Sequence, residues 1–404
     1  MTPDNSSTIY DVAIIGGGIA GAGIARDAAL RGLSVVLFEK NEFGSGASGK
    51  SSKLIHGGIR YLELSWNAFK SLKWGKAWKN LRFVFSSLKE SRTLETIAPH
   101  LVKPISLIVP IYETDKRNPL TIIAGVLFYF LLARFSGKAK RPKIFWTQAS
   151  LLRELPGLNP EGLKCGVMLW DHTTDDKALV RATIASAEQN GARCLKQAAV
   201  TGYHERPKEG SYEIRVRRNF SEEIFYSKKL INASGAWVDK TRALGREKNS
   251  DFILPVAGSH ITVRKFLLSS TLLQAEDSRI FFVINTGETA RVGTTEWICR
   301  EPDAVAVKEG DIDYLLHSLG RYFPDKNFTR KDILSQDAGI RPLAFTANDQ
   351  NPNEISRNHE IRVGSSGVLH VLGVKLTDHR RAAERVVDKI APGTRSRTAH
   401  EPLG

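Results

Sequence analysis

The sequence predicts an α/β fold: a Rossmann-like nucleotide-binding domain joined to an α+β domain built on an antiparallel sheet. Three observations carry that prediction. An apolar strand at residues 12–15 runs into Gly16, Gly18 and Gly21, then a helical stretch, then a second apolar strand at 34–38 closed by Glu39. This is a β-α-β unit with the dinucleotide glycine fingerprint in its proper context. A second strand–glycine–helix junction lies near the other end, at 368–390, around Gly373. Between them, strands at 261–263, 280–284 and 290–293 are separated by turn residues, the pattern of an antiparallel sheet.

Each residue of the fingerprint has a physical task. Gly16 lets the chain turn sharply off the strand, Gly18 lets the backbone approach a pyrophosphate, and Gly21 lets the helix pack on the sheet. The helix N-terminus offers N–H groups and a positive dipole end to phosphates. Glu39 stands where a carboxylate accepts ribose hydroxyls. The loop at 41–52, with Gly44, Gly46, Ser48, Gly49, Ser51 and Ser52, exposes donors for a second phosphate or a ring; a plain surface loop is the alternative. Lys53, Leu54, His56, Arg60 and Tyr61 then gather about the glycine pair 57–58. By residue type alone they are catalytic, anion-binding or structural.

Farther along, residues 64–97 hold Trp66, Trp74 and Trp78 among Lys70, Lys73, Lys76, Lys79 and Arg82. That composition suits an interfacial helix, yet the cations spiral round the axis, so a solvated helix is equally in play. The run LTIIAGVLFYFLLA at 120–133 is short of the ~20 residues needed to span a bilayer. It is read as a buried core helix or a monotopic segment. A short helix follows within 148–160, then a helix at 179–189 with Asp175 and Asp176 placed to cap it. Strands at 212–216, 224–226 and 229–232 lead into the turn Ala233-Ser234-Gly235, and a helix at 311–323 stops at Pro324.

With 404 residues, two domains are expected. Hydrophobic and charged contents of 42% and 25% are those of a globular protein, which excludes a disordered chain. Cys165, Cys194 and Cys299 are far apart with no CxxC pair, so neither a disulfide framework nor a metal site is expected. A reducing, cytosol-facing compartment fits, and no secretory signal is visible. The net charge of +15 is spread along the chain without a nucleic-acid module. An anionic membrane surface and an anionic substrate are therefore preferred to nucleic acid as its partners.

Eight ordered blocks follow the fingerprint: GASGKSSKLIHGGIRYLE at 46–63, APHL at 98–101, WDHTTDDKALV at 170–180, NASGAWVD at 232–239, GSHITV at 258–263, VGTTE at 292–296, GIRPL at 339–343 and GVKLT at 373–377. Together, from about residue 10 to 390, they resemble the FAD-dependent glycerol-3-phosphate dehydrogenase family, within the amino-acid-oxidase-like flavoproteins. The resemblance implies a discontinuous FAD-binding domain at 10–95, 165–250 and 335–392 and a substrate domain at 96–164 and 251–334. Residues 393–404 are expected as a short tail, without the C-terminal helical domain of longer members, which leaves a homodimer possible but open.

The implied reaction is oxidation of sn-glycerol 3-phosphate to dihydroxyacetone phosphate by hydride transfer to FAD. Electrons would pass to a membrane quinone, with the protein peripheral on the cytoplasmic face of the inner membrane. The residues that match the family's cofactor site are Gly16, Gly18, Gly21, Glu39, Lys40, Ser48, Ser51, Ser52, Lys53, Leu54, Val200, Ala233, Ser234, Gly235, Gly373, Lys375 and Leu376. His260, Arg341 and Arg60 match catalytic positions, and Arg60, Tyr61, Lys375 and Thr377 match substrate contacts. Arginine forks suit phosphate, and an imidazole suits either a base for a hydroxyl proton or a hydrogen bond to the substrate. Ala236, Ala257, Val374, Asp378 and His379 depart from the family's pattern, and the loss of a lysine with the gain of Asp378 lowers positive charge near the expected phosphate. Two alternatives therefore stand beside the dehydrogenase: a same-fold oxidase using oxygen on a hydroxy acid or amine, and a flavin-binding protein whose activity has decayed.

Overall fold

The structure, a computed structural model, describes residues 8–115, 117–247, 251–345 and 359–404; the side chains of Arg60 and Asn67 lie outside the described residues. One sheet places five parallel strands in the order Arg193–Leu195, Val35–Phe38, Ile9–Ile15, Ser221–Asn232 and Leu369–Leu372, with Glu360–Val363 antiparallel at the edge. The unbroken apolar runs of its central strands follow from burial on both faces. Val12, Ile14, Val35 and Leu37 pack among the helices Ile19–Leu30, Asp176–Gln189 and His379–Ile390. Ala13, Ile15, Val36 and Phe38 pack on the other face, against Tyr203, Ile214, Val216 and Phe225. Those residues belong to the meander Ala199–Arg206, Ser211–Arg218 and the first half of Ser221–Asn232.

The second sheet has ten strands and is mostly antiparallel. Ile253–Arg264 pairs with Ile333–Ala344 on one side and with Thr289–Gly293 and Trp297–Ile298 on the other. Val102–Tyr112 pairs with Leu163–Thr174 and, in parallel, with Ser270–Gln274. Residues 165–174 and 335–344, expected within the first domain, are thus strands of the second sheet. Long backbone pairing sets their place, and a short sequence block cannot show a partner a hundred residues away.

Three local outcomes differ from the simplest reading. The basic stretch at 64–97 forms two helices, Arg60–Lys70 and Trp74–Ile97, broken where Leu72 takes a positive φ of 56°. The apolar run becomes the helix Pro119–Phe135, started by Asn118, whose side chain accepts the Leu120 N–H at 2.9 Å, and by a proline in its first turn. It is only half buried: Ile123, Val126, Tyr129 and Ala133 face inward, while Leu120, Leu127, Phe128, Leu131 and Phe135 are exposed. Among the described residues no helix is long and apolar enough to cross a membrane.

The stretch 393–404 does not hang free of the fold. Thr398 and Leu403 are buried, the Leu403 N–H donates to the Ile97 carbonyl at 2.7 Å, and the Arg26 guanidinium donates to the carbonyls of Thr398 and Glu401 at 3.3 and 2.6 Å.

Candidate functional site

A cavity of about 3180 Å³ runs between the two sheets, from the glycine fingerprint to the strand Ile253–Arg264. At one end Gly16 has φ +111°, and a Cβ there would lie 2.6 Å from the Ala233 carbonyl, so only glycine lets these two strand ends come together. The helix Ile19–Leu30 begins at Gly18 with no acidic residue in its first turn, leaving its positive end open to an anion. Ser48 reaches over from the loop, its Oγ accepting the Ile19 N–H at 2.9 Å. Glu39 accepts the N–H groups of Gly17 and Asn41 at 2.7 and 2.8 Å and lines the cavity. Each carboxylate oxygen retains a lone pair for a ribose hydroxyl. A cleft walled by bare backbone, an uncompensated helix N-terminus and a carboxylate fits the ADP half of FAD.

Of the residues assigned from sequence, Gly16, Gly18, Glu39, Lys40, Ser48, Ser51, Ser52, Leu54, Tyr61, Val200, Ala233, Ser234, Gly235, His260, Arg341, Gly373, Lys375, Leu376 and Thr377 all line this cavity. Two others do not. Gly21 packs behind the cradle, where a Cβ would sit 1.9 Å from the Gly16 carbonyl. Lys53 turns away to Asp176, 2.7 Å off, which also accepts the N–H and hydroxyl of Ser51. The acidic pair at 175–176 is thereby divided: Asp175 caps the helix, accepting the Ala178 N–H, while Asp176 anchors the serine loop. Arg60 begins the helix Arg60–Lys70, but its side chain lies outside the described residues.

At the other end of the cavity stands His260, from the middle of Ile253–Arg264. Its Nε2 is 3.1 Å from the Ser52 hydroxyl, and its Nδ1 faces Asp337 at 3.9 Å. Asp337 is gripped on both oxygens by Arg291, at 2.8 and 2.7 Å, and Arg291 also donates to the Ser51 carbonyl at 2.8 Å. Burial, reinforced by the charges of Arg291, Arg341 and Lys53, brings the imidazole down to about 3 against the opposing pull of Asp337. His260 is therefore neutral at physiological pH.

Arg341, on the paired strand, lies 3.2 Å from Glu296 and is about a third exposed. Lys375 donates to the Tyr61 hydroxyl at 3.3 Å and sits over the Tyr61 and Phe83 rings. The Thr377 hydroxyl accepts the His56 N–H at 3.1 Å. Asp378 is buried and bonded to His359, and it does not line the cavity. Its charge is thus turned from the phosphate site whose positive charge it was expected to lower.

Sequence reasoning passed over Arg291, Asp337 and Glu296, and read Asp176 only as a helix cap. Glu296 stood inside the quoted block VGTTE and was open to notice; the Arg291–Asp337 pair is made by two strands that flank Ile253–Arg264 on opposite sides and has no local signal. Lys40, Trp237 and Lys240 also meet Asp303 at the cleft wall, at 2.8, 2.7 and 2.8 Å.

A nucleotide cradle joined to a cavity holding a neutral histidine and cations defines a flavin-dependent oxidoreductase, and residues 11–376 match the family model described as FAD dependent oxidoreductase. Within that class the chain belongs to the aerobic glycerol-3-phosphate dehydrogenase family. It is 34% identical over 389 residues to the aerobic glycerol-3-phosphate dehydrogenase of Staphylococcus haemolyticus, covering 95% of this chain and 67% of that protein. The Bacillus subtilis enzyme of the same name is 32% identical, with 96% and 68% covered. The structure of the glycerol-3-phosphate dehydrogenase from Bacillus halodurans complexed with FAD superposes with a TM-score of 0.76 at 26% identity, over 98% of this chain and 68% of that one. The L-alpha-glycerophosphate oxidase of Mycoplasma pneumoniae shares the fold, with a TM-score of 0.69 at 18% identity over 96% and 97% of the two chains. The chain thus spans about two thirds of the length of its dehydrogenase relatives.

Proposed function

We propose that this protein oxidises sn-glycerol 3-phosphate to dihydroxyacetone phosphate, with His260 as base and Arg341, Lys375, Tyr61 and Arg60 holding the substrate. FAD would be held by the Gly16 cradle and Glu39 and would supply the acceptor for the hydride leaving C2. Asp337 beside Nδ1 favours the ring proton there, which leaves the Nε2 lone pair directed at Ser52 and the cavity to take the hydroxyl proton. Arg341 exchanges its contact with Glu296 for the substrate phosphate, a stronger partner because it is doubly charged near neutral pH. The observation that carries this reading is a neutral, buried histidine and a guanidinium on adjacent strands of one cavity wall.

Anaerobic mixing with glycerol 3-phosphate, run beside glycerol, tests it. Rapid bleaching of the flavin by the phosphorylated polyol alone is expected. A flavin-loaded protein that neither polyol reduces sinks the proposal, and peroxide release in air assigns an oxidase instead. Arg341→Ala is expected to raise KM for glycerol 3-phosphate about 10–100-fold, the worth of a charge-assisted hydrogen bond. Steady-state kinetics with an unchanged KM would remove Arg341 from the site.

The electron acceptor is assigned to a membrane quinone, and the outer helices support that reading. Arg60–Lys70, Trp74–Ile97 and Pro119–Phe135 pack on one another. They leave Trp66, Leu72, Trp74, Trp78, Leu127, Phe128, Leu131 and Phe135 exposed beside Lys70, Lys73, Lys76 and Lys79. Aromatic and aliphatic groups mixed with lysines suit the headgroup boundary of an anionic bilayer. The double variant Leu127→Glu/Leu131→Glu is expected to abolish sedimentation with vesicles containing anionic lipid while leaving anaerobic flavin reduction intact. Undiminished vesicle binding would place the contact elsewhere.

A further inference from the structure

Tyr129 is the polar member of the buried stripe on Pro119–Phe135, and its phenol reaches inward to the turn formed by His56, Gly57 and Gly58. Its oxygen accepts the Gly57 N–H at 2.8 Å and donates to Asp171, 2.9 and 3.0 Å from the two carboxylate oxygens. Asp171, from Leu163–Thr174, accepts the same Gly57 N–H at 3.2 Å and is buried. Burial pushes its carboxyl up to about 7; the bonds from Tyr129 and Gly57, with the charge of Arg92, are what favour its ionised form.

The turn held by this pair has no slack. A Cβ on Gly57 would meet the Tyr129 hydroxyl at 2.5 Å and Leu88 at 2.6 Å, and Gly58 takes φ +79°. On its other side, His56 is bonded to Thr377. The Gly58 carbonyl accepts the Tyr61 N–H at 2.8 Å, so the first turn of Arg60–Lys70 grows out of this point and carries Tyr61 to Lys375.

We propose that Tyr129 and Asp171 are positioning residues for substrate binding: by fixing the Gly57-Gly58 turn, they set where the first turn of the next helix presents its side chains to the cavity. The proposal rests on the substrate assignment above. Neither residue needs to touch substrate; the pair acts through the Gly57 amide. Leaving that amide, or the buried carboxylate, short of a partner lets the turn shift.

The holoenzyme variants Tyr129→Phe and Asp171→Asn test this against Ile123→Ala, which removes buried packing from the same helix face and no hydrogen bond to the turn. Tyr129→Phe and Asp171→Asn are expected to raise KM for glycerol 3-phosphate about 5–50-fold, with a smaller fall in kcat and unchanged FAD content. Both are also expected to speed hydrogen exchange about tenfold in the peptide covering residues 56–62. Ile123→Ala is expected to lower Tm with KM and that exchange unchanged. Should both variants lower Tm only, or should Ile123→Ala raise KM as much as they do, the pair is structural and the proposal falls. The exchange measurement needs no substrate: unchanged protection at 56–62 overturns the proposal whatever the enzyme oxidises. Failure of wild-type flavin reduction overturns the substrate assignment alone.

Discussion

Replacing His260 by asparagine is expected to lower kcat about 10²–10⁴-fold, the usual worth of a general base, with the protein still yellow. Asparagine keeps a polar side chain near Ser52 but has no basic atom. FAD content, read from absorbance, is expected to stay at one per chain because the cradle lies at the far end of the cavity. Single-turnover reduction by glycerol 3-phosphate measures the chemical step directly, and a variant that bleaches at the wild-type rate would refute the assignment.

The pH dependence is equally specific. With its value at about 3, His260 in the free enzyme stays unprotonated across the neutral range. After allowance for the substrate phosphate, which titrates near ~6, kcat/KM is therefore expected to show no acid limb from this residue. A dianionic substrate in the cavity raises the imidazole toward its ordinary value, so an acid limb belongs in kcat. In the unfolded chain the same group titrates near 6.5. Between about 3 and 6.5 the unfolded state holds the extra proton, so the stability His260 contributes above 6.5 is lost progressively as pH falls.

Gly21→Ala is expected to yield a protein without flavin. The added methyl would stand 1.9 Å from the Gly16 carbonyl, backbone that cannot step aside. The helix must lift from the strand, which displaces its N-terminus from the phosphate site and costs about 1–3 kcal/mol or more of folding stability. Gly32→Ala is the contrast. Its φ is +82°, but nothing lies within 4 Å of the added carbon. It is expected to cost only the left-handed backbone penalty of about 1–2 kcal/mol and to keep its FAD. Flavin-to-protein absorbance ratios and thermal unfolding of the two variants decide the matter; a yellow Gly21→Ala protein would show that the cradle tolerates a wider gap.

The β-α-β cradle was open to reading because its signals are local. A strand, three glycines and a carboxylate lie within thirty residues, and Gly21 answers to a clash with the Gly16 backbone five residues earlier. The blocks around His260, Arg341 and Lys375 were open to reading by resemblance, which also supplied the expectation of FAD. Illegible was everything set by pairing across long separations. Asp175 and Asp176 are chemically identical neighbours, and helix geometry made one a cap and turned the other to the serine loop. Asp378 looked like a threat to the phosphate site until its bond to His359 removed it from the cavity wall. The outer helix was ambiguous for a similar reason: a run apolar on all sides does not announce which face a neighbour will cover.

By itself, then, the sequence determined the nucleotide cradle, the alternation of strands and helices around it, and the residue types available to the chemistry. These depend on contacts within one turn or one β-α-β unit. Tertiary structure alone decided the rest: that Arg291 grips Asp337 beside His260, that Glu296 waits at Arg341, and that Tyr129 and Asp171 close on Gly57. Those contacts join strands and helices tens to more than a hundred residues apart. Their energies come from burial and charge in a space that exists only after the two sheets have come together.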